Sequence, residues 1–364
     1  MRTRSRTLRA ARTTGRTSPC TSRRCSSPRP RAPARAGTLL IPRDAADLSA
    51  LARRLGGEAP SAIEPLAGDA GRRRYFRLHF GHGPTAVAVL YPPEEADARR
   101  RWVAARAALE TAVRVPTLLA DDEDGAQIVE DLGPTDLAAR LTENPDERER
   151  WLERAVDAAA AIAGLPDPGL NPPFDAALFR RELDLAREAI FDMLEGRPLS
   201  AGERAAHDAW ADALVAEVLT HPRALCHRDF HGNNLFVAGE RVAIIDFQDL
   251  RLGPDTYDLA SLLWERTTLA WMNAATAERA AARFARARGL DPAGVAARLP
   301  RVLLQRAWKA SGTFARAVVL GKGDAYRRYL PAELALVRRL LRDAPADREF
   351  TAVLDSRRPQ SVKL

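Results

Sequence analysis

Lysine is nearly absent from this chain of 364 residues: of 56 basic side chains only three are lysines, Lys309, Lys322 and Lys363. A chemistry that needs a lysine before residue 309 is therefore excluded, and arginine must serve wherever a cation is required. Cysteine occurs three times, at Cys20, Cys25 and Cys226. An odd count without framework spacing excludes a disulfide-stapled scaffold and points to a reducing, cytoplasmic setting. No run of about 18 apolar residues occurs, which excludes a bilayer-spanning helix, so no membrane partner is expected.

Acidic residues are missing from residues 1–37, which carry eleven arginines. Set against the whole chain's net charge of +8, this leaves the remainder at −3. The high pI thus belongs to a tail, and the rest of the chain gives no reason to expect a nucleic-acid partner. The tail is rich in Arg, Ser, Thr, Pro and Ala, without hydrophobic periodicity, and is expected to be disordered. It lacks the apolar core of about 7–15 residues that a secretory signal needs. An upstream-start artefact is the first reading, ahead of a targeting segment or a polyanion contact.

Over the whole chain 46% of the residues are hydrophobic, enough for a sizeable core. Residues 44–55 place Leu48, Leu51 and Leu55 on one helical face, and Gly56-Gly57 ends the run. The period then shortens: IEPL (63–66), RYFRLHF (74–80) and TAVAVLY (85–91) read as strands. Pro92-Pro93 opens a helix to about Thr111, with Glu94 and Glu95 in its first turn. VPTLLA and AQIVEDLG (126–133) add two short strands. Amphipathic helical runs follow at about 146–163, 175–195, 200–220, 255–273, 276–289, 298–319 and 324–342. One β interruption breaks them, a hairpin at 234–245. The expected domains are a disordered tail (1–37), a small β-rich lobe (38–132) and a large, mainly helical lobe (133–355), an α+β class.

The stretch HRDFHGNN (227–234) enters that hairpin. Antiparallel pairing brings Asn234, at the start of the first strand, beside Asp246, at the end of the second. Asp229 lies five residues before Asn234. A carboxylate and an amide oxygen suit a hard divalent cation such as Mg²⁺. Asp229 is then left to face a substrate hydroxyl, as in phosphoryl transfer. The spacing H-x-D-x₄-N followed by I-D-F matches the catalytic signature of the protein-kinase-like fold, with His227 as a structural anchor. A zinc site built from Cys226, His227, Asp229 and His231 is disfavoured, because an H-x-x-x-H pair needs a helix and Phe-Gly-Asn-Asn is a poor one.

HRDFHGNNLF and IIDFQD resemble the aminoglycoside phosphotransferase-like kinases. More narrowly, the chain is similar to the bacterial anomeric sugar kinases of cell-wall recycling, which phosphorylate N-acetylmuramate and N-acetylglucosamine at C1. GDAGRRRYFRL (68–78), FRRELDL (179–185), DFQDLRLGPDTYDLASLL (246–263) and LQRAWKASGTFAR (304–316) carry the likeness, which covers about residues 41–345. The resemblance implies a two-lobed kinase-like fold that uses ATP with Mg²⁺ and a small sugar acceptor. It makes Asp229 the catalytic base and Asn234 and Asp246 the Mg²⁺ ligands. Gly68, Asp69, Ala70, Gly71 and Arg72 would lie over the ATP phosphates, and Glu130, Asp131 and Leu132 would form the adenine hinge.

One departure stands out. The third strand, TAVAVLY, has no kinase lysine; Arg72, Arg73, Arg74 or Arg77 is expected to take its role, unless the metal alone suffices or the chain is a pseudokinase. The same fold acting on an aminoglycoside, choline or homoserine is a further alternative. Asp249, Tyr257 and Asp258 are expected to support the acceptor site, although Asp258 equally suits the cap of the helix beginning there. Arg181 and Glu182 either reach the sugar or form a solvated charged face. Lys309 reads as a surface charge.

Overall fold

The structure, a computed structural model, describes residues 42–56, 59–66, 72–81, 83–122, 125–321 and 324–357. The basic tail and the Gly68–Gly71 loop lie outside the described residues. Helix α1 (Pro42–Gly56) precedes strands β1 (Ala62–Leu66), β2 (Arg74–His79) and β3 (Ala86–Leu90). Helix α2 (Ala96–Leu109) follows a single 3₁₀ turn at Pro93–Glu95, and β4 (Leu118–Asp122) and β5 (Ala126–Glu130) complete an antiparallel sheet of order β1-β2-β3-β5-β4.

The two-residue period of the strands decides what each face covers. Phe76, Leu78, Ala86, Ala88 and Ile128 point to one side and pack on Leu48, Leu51 and Ala52 of α1. Val87 and Val129 point to the other and join the main core with Trp102, Ala105 and Leu109 of α2.

The remainder is mainly helical: α3 (Leu137–Glu143), α4 (Arg148–Ala163), α5 (Ala176–Arg187) continued by a π-helical turn, and α6 (Ala201–Leu219). Strand β6 (Arg223–Cys226), hairpin strands β7 (Leu235–Ala238) and β8 (Arg241–Ile244), and β9 (Arg251–Pro254) come next. Helices α7 (Tyr257–Leu263), α8 (Ala274–Arg288), α9 (Pro292–Val319), α10 (Asp324–Arg327), α11 (Leu330–Arg342) and α12 (Arg348–Ser356) complete the described residues. The fold is the two-lobed, protein-kinase-like α+β class that the sequence implied. No helix among the described residues is long and apolar enough to cross a membrane.

Three sequence expectations need correction. The helix expected over 255–273 stops at Leu263, because Thr268 Oγ1 donates to the Leu263 carbonyl at 2.8 Å and accepts the Glu265 N–H at 3.0 Å, replacing the helical ladder by a side-chain bond. The hairpin is not the only β structure in the helical part: β6 pairs antiparallel with β9 across the loop and hairpin between them. Four-residue strands this far apart give no local periodicity to read. The long helix expected from 298 begins at Pro292, capped by Asp291, and tolerates Pro300 within it.

Helix α9 runs through the middle of this part and approaches α5 at Gly312. A Cβ there would overlap the Ala186 backbone. Glycine at 312 thus sets the helix separation that Lys309 and Glu182, one turn away, depend on. We expect Gly312→Ala to lower the urea-unfolding stability by about 1–3 kcal/mol through overpacking. Gly202→Ala on α6, where nothing lies within 4 Å of the added carbon, is the control and should be neutral or slightly stabilising. Equal behaviour of the two variants would refute the close-approach account.

Candidate active site

Strand β6 delivers the chain into residues 227–234, and a buried carboxylate shapes the entry. Asp258 accepts the His227 N–H at 2.6 Å and the Arg228 N–H at 3.0 Å. That double acceptance holds Arg228 at φ 81, a left-handed conformation that costs energy for a residue with a Cβ. Burial pushes the Asp258 carboxyl up, opposed by His227 and the two N–H donors. The N-cap of α7 is Thr256, without a side-chain cap bond, so Asp258 serves the loop rather than its own helix. His227, fully buried, donates from Nε2 to the Ile245 carbonyl at 2.9 Å and ties the loop to the hairpin's return strand.

The hairpin then closes the arrangement. The Ile245 N–H donates to the Asn234 carbonyl at 3.0 Å, one step beyond the β7–β8 ladder, so Asp246 follows directly opposite the loop's end. Asn234 Nδ2 donates to the Asp229 carbonyl at 2.8 Å. That bond uses the amide nitrogen and leaves the amide oxygen as the free end. Asp246 is exposed and stands at φ 62. Gln248 Nε2 donates to its Oδ1 at 2.9 Å. Among the described residues Arg228 and Asp246 are the only non-glycines with positive φ, and both flank this site. The Asn234 amide oxygen and the Asp246 carboxylate are hard oxygen donors, the set that suits Mg²⁺.

Cations surround Asp229. Burial works to raise its carboxyl, but Lys309, Arg306 and Arg228 overcome that and hold it well below the usual carboxylate range. Burial pushes His231 down to about 3 against the pull of Asp229, so its imidazole is neutral near pH 7. Lys309 pairs with Glu182 at 3.2 Å; Tyr257, Glu182 and Asp229 outweigh the burial that disfavours its charge. Glu182 also accepts Arg228 Nη2 at 3.0 Å and Gln305 Nε2 at 2.9 Å. Arg306 Nη1 donates to the Arg228 carbonyl at 2.7 Å. Asp249 reaches Arg228 at 3.7 Å. Tyr257 is fully buried, its ring 4.8 Å from Phe174 and under the Arg306 guanidinium. Arg181 is exposed and lines a groove of about 300 Å³ with Glu182, Lys309 and Arg316.

The surface-charge reading of Lys309 is therefore wrong: it is part of a buried network with Glu182. Gln305, Arg306 and Lys309 were legible as a set through the LQRAWKASGTFAR stretch that carries the family likeness, and the scarcity of lysine was a second signal for Lys309.

On the sheet side, β5 ends at Glu130 and the chain leaves through Asp131 and Leu132 to Gly133 at φ 93. Glu130 accepts from Arg114 and, at 3.0 Å, from the Thr117 N–H and hydroxyl. Asp131 accepts Arg77 at 2.5 Å, Thr85 Oγ1 at 2.7 Å and the Gly133 N–H at 2.9 Å. Arg77 is thus committed to the hinge. Arg72 is exposed and pairs with Glu94 at 2.5 Å. Arg73 is half-buried, pairs with Glu95 at 2.8 Å and feels the charge of Asp246. A second cluster, Asp184, His207 and Asp208, groups carboxylate and imidazole atoms within 4.8 Å. Arg180 already bridges both of its carboxylates, so it offers no vacant charge to a cation.

Comparison with known proteins agrees with this geometry. Residues 62–298 match the phosphotransferase enzyme family. A Pseudomonas aeruginosa N-acetylmuramate/N-acetylglucosamine kinase is 35% identical over 214 residues, covering 57% of this chain and 61% of that protein, so the match spans less than two thirds of that relative. A Neisseria meningitidis protein of the same name is 31% identical over 289 residues, covering 76% of this chain and 84% of the relative. Among solved structures, a Mesorhizobium loti choline/ethanolamine kinase family protein shares 19% identity at a TM-score of 0.57, covering 86% of this chain and 98% of that one. The aminoglycoside phosphotransferase APH(4)-Ia in complex with ADP and hygromycin B shares 19% identity at a TM-score of 0.51, covering 80% and 98%. With the family model matched across both the sheet and the catalytic-loop region, the chain belongs to the phosphotransferase enzyme family.

Proposed function

We propose that this protein transfers the γ-phosphoryl group of ATP to the anomeric hydroxyl of an N-acetylated amino sugar, N-acetylmuramate or N-acetylglucosamine. The names of the relatives support the acceptor class. The single observation that carries the reaction type is the junction of an ionised Asp229 with Asn234 and the hairpin that ends in Asp246.

Asp229 accepts the hydroxyl proton as the sugar oxygen bonds to the γ-phosphorus and the bond to the β-phosphate oxygen breaks, releasing ADP. Lys309 keeps Asp229 charged while Glu182 shares the ammonium, so the base is oriented without being locked in one tight ion pair. Asn234 and Asp246 would hold Mg²⁺, which supplies charge neutralisation at the phosphate oxygens. Arg73 takes the phosphate-binding part that the missing strand lysine leaves open, with Arg72 next to it in the chain. Glu130 and Asp131 have their side chains engaged by the sheet, and with Leu132 they serve adenine through backbone groups. The nucleotide lobe corresponds to residues 38–132 and the catalytic lobe to 133–355.

Two measurements test this reading. In a coupled ADP-release assay over a panel of acceptors, N-acetylmuramate and N-acetylglucosamine should give the highest kcat/KM, and Asp229→Asn should abolish sugar-dependent turnover while leaving nucleotide binding intact. Preference for choline, homoserine or an aminoglycoside would replace the acceptor assignment, and ATP binding without turnover on any acceptor would make the protein a pseudokinase. Arg73→Ala should raise the KM for ATP about tenfold or more with the sugar KM nearly constant, as loss of a charged hydrogen-bond donor requires. An unchanged ATP KM would remove Arg73 from the phosphate site.

A further inference from the structure

The groove of about 300 Å³ that runs along α5 and α9 has no part in the phosphoryl transfer described above. It exists because Ala186 and Gly312, where the two helices meet, carry almost no side chain and leave room beside them. Arg181 and Arg316 stand exposed along its walls, and Leu185 is 43% exposed between them and the floor. Lys309 and Glu182 line it as well.

The two exposed arginines differ from their neighbours. Arg180, next to Arg181 in the chain, bridges Asp184, Asp208 and Asp212. Arg306 of α9 donates to the Arg228 carbonyl and lies over the Tyr257 ring. Among the described residues, the guanidiniums of Arg181 and Arg316 have no such partner. Three cations thus line the groove against one carboxylate. That carboxylate is already engaged: Glu182 Oε1 meets Lys309 Nζ at 3.2 Å and Arg228 Nη2 at 3.0 Å, and Oε2 accepts Gln305 at 2.9 Å. Unspent positive charge beside an apolar side chain is the setting for an anion that carries some hydrocarbon.

The groove also adjoins the catalytic loop through direct bonds. Lys309 and Arg228 converge on the same Glu182 oxygen, and Arg228 immediately precedes Asp229. The Arg306 bond to the Arg228 carbonyl, at 2.7 Å, fastens α9 to the same residue.

We propose that this groove is a specificity subsite for an anionic acceptor, in which Arg181 and Arg316 bind a carboxylate carried on a short ether arm of the sugar ring and Leu185 covers the arm's methyl group. N-acetylmuramate has such an arm, a lactyl ether, where N-acetylglucosamine has a hydroxyl. The paired donors of a guanidinium match the two oxygens of a carboxylate. This inference rests on the reading of Asp229 as the group that faces the acceptor, and it goes further by naming what separates the two sugars.

The test is the double variant Arg181→Gln/Arg316→Gln, which removes two charges at exposed positions. In the coupled ADP-release assay, the ratio of kcat/KM for N-acetylmuramate to that for N-acetylglucosamine should fall at least about fivefold, through the N-acetylmuramate KM. Arg181→Lys/Arg316→Lys, which keeps the charge and loses the fork, should recover part of the ratio. Raising NaCl from about 0.05 to about 0.5 M should raise the wild-type KM for N-acetylmuramate and leave that of the glutamine variant nearly constant. A smaller fall in the ratio overturns the proposal. So does turnover on N-acetylglucosamine alone, or an equal loss for both sugars with a falling melting temperature, the signature of a structural role. Calorimetric titration with N-acetylmuramate separates the groove from the kinase reading. Binding that the glutamine variant loses, without turnover, sinks the kinase reading and upholds the groove. Turnover on both sugars with an unchanged ratio does the reverse, and neither binding nor turnover with either sugar overturns both.

Discussion

The site depends on one buried carboxylate. Asp258 receives two consecutive backbone N–H groups, from His227 and Arg228, and so stabilises a left-handed residue in a chain of L-amino acids. The same turn holds His227 where its Nε2 donates to the Ile245 carbonyl. The loop is thereby coupled to α7 behind it and to the hairpin ahead of it, and the hairpin is what carries Asp246 to the same place. Two of the hydrogen bonds that link residues 227 to 258 thus converge on one side chain.

Around that frame the electrostatics follow from helix packing. The close approach of α9 to α5 at Gly312 brings Lys309 and Gln305 onto Glu182, and Glu182 in turn steadies Arg228. Each charge in the network has at least two opposite or polar neighbours, which is the condition for charges to persist where water is scarce. Asp229 benefits without being the direct partner of any one cation, so it remains available for a ligand.

Much of this was legible in the residues themselves. The alternation through Phe76 and Leu78, and through Ala86 and Ala88, reads as strand and is strand. The pairing that sets Asn234 beside the 245–246 turn follows from the short polar turn between two apolar runs. What stayed hidden is non-local. The β6–β9 pairing joins segments separated by the whole loop and hairpin. The Asp258 clamp spans about thirty residues, and the helix it opens offered a nearer explanation for the same side chain. Arg72, Arg73 and Arg77 look alike in sequence, and their different partners appear only once the Pro93–Glu95 turn and Asp131 are placed. Lys309 was misread because its neighbours Trp308 and Phe314 define an apolar face, and the polar face of a helix is a surface only if nothing polar packs there.

Lys309 also shows where the two basic side chains stop being interchangeable. The chain uses arginine almost everywhere a cation is wanted, in forked pairs such as Arg77 with Asp131 and Arg283 with Asp157. A guanidinium presents its donors in one fixed plane, whereas an ammonium is a compact charge with rotatable donors and no such plane. Between Glu182 and Asp229 a round charge can serve two anions at once without choosing between them. In an arginine-saturated protein, the shape of the cation, rather than its sign, is what distinguishes this position.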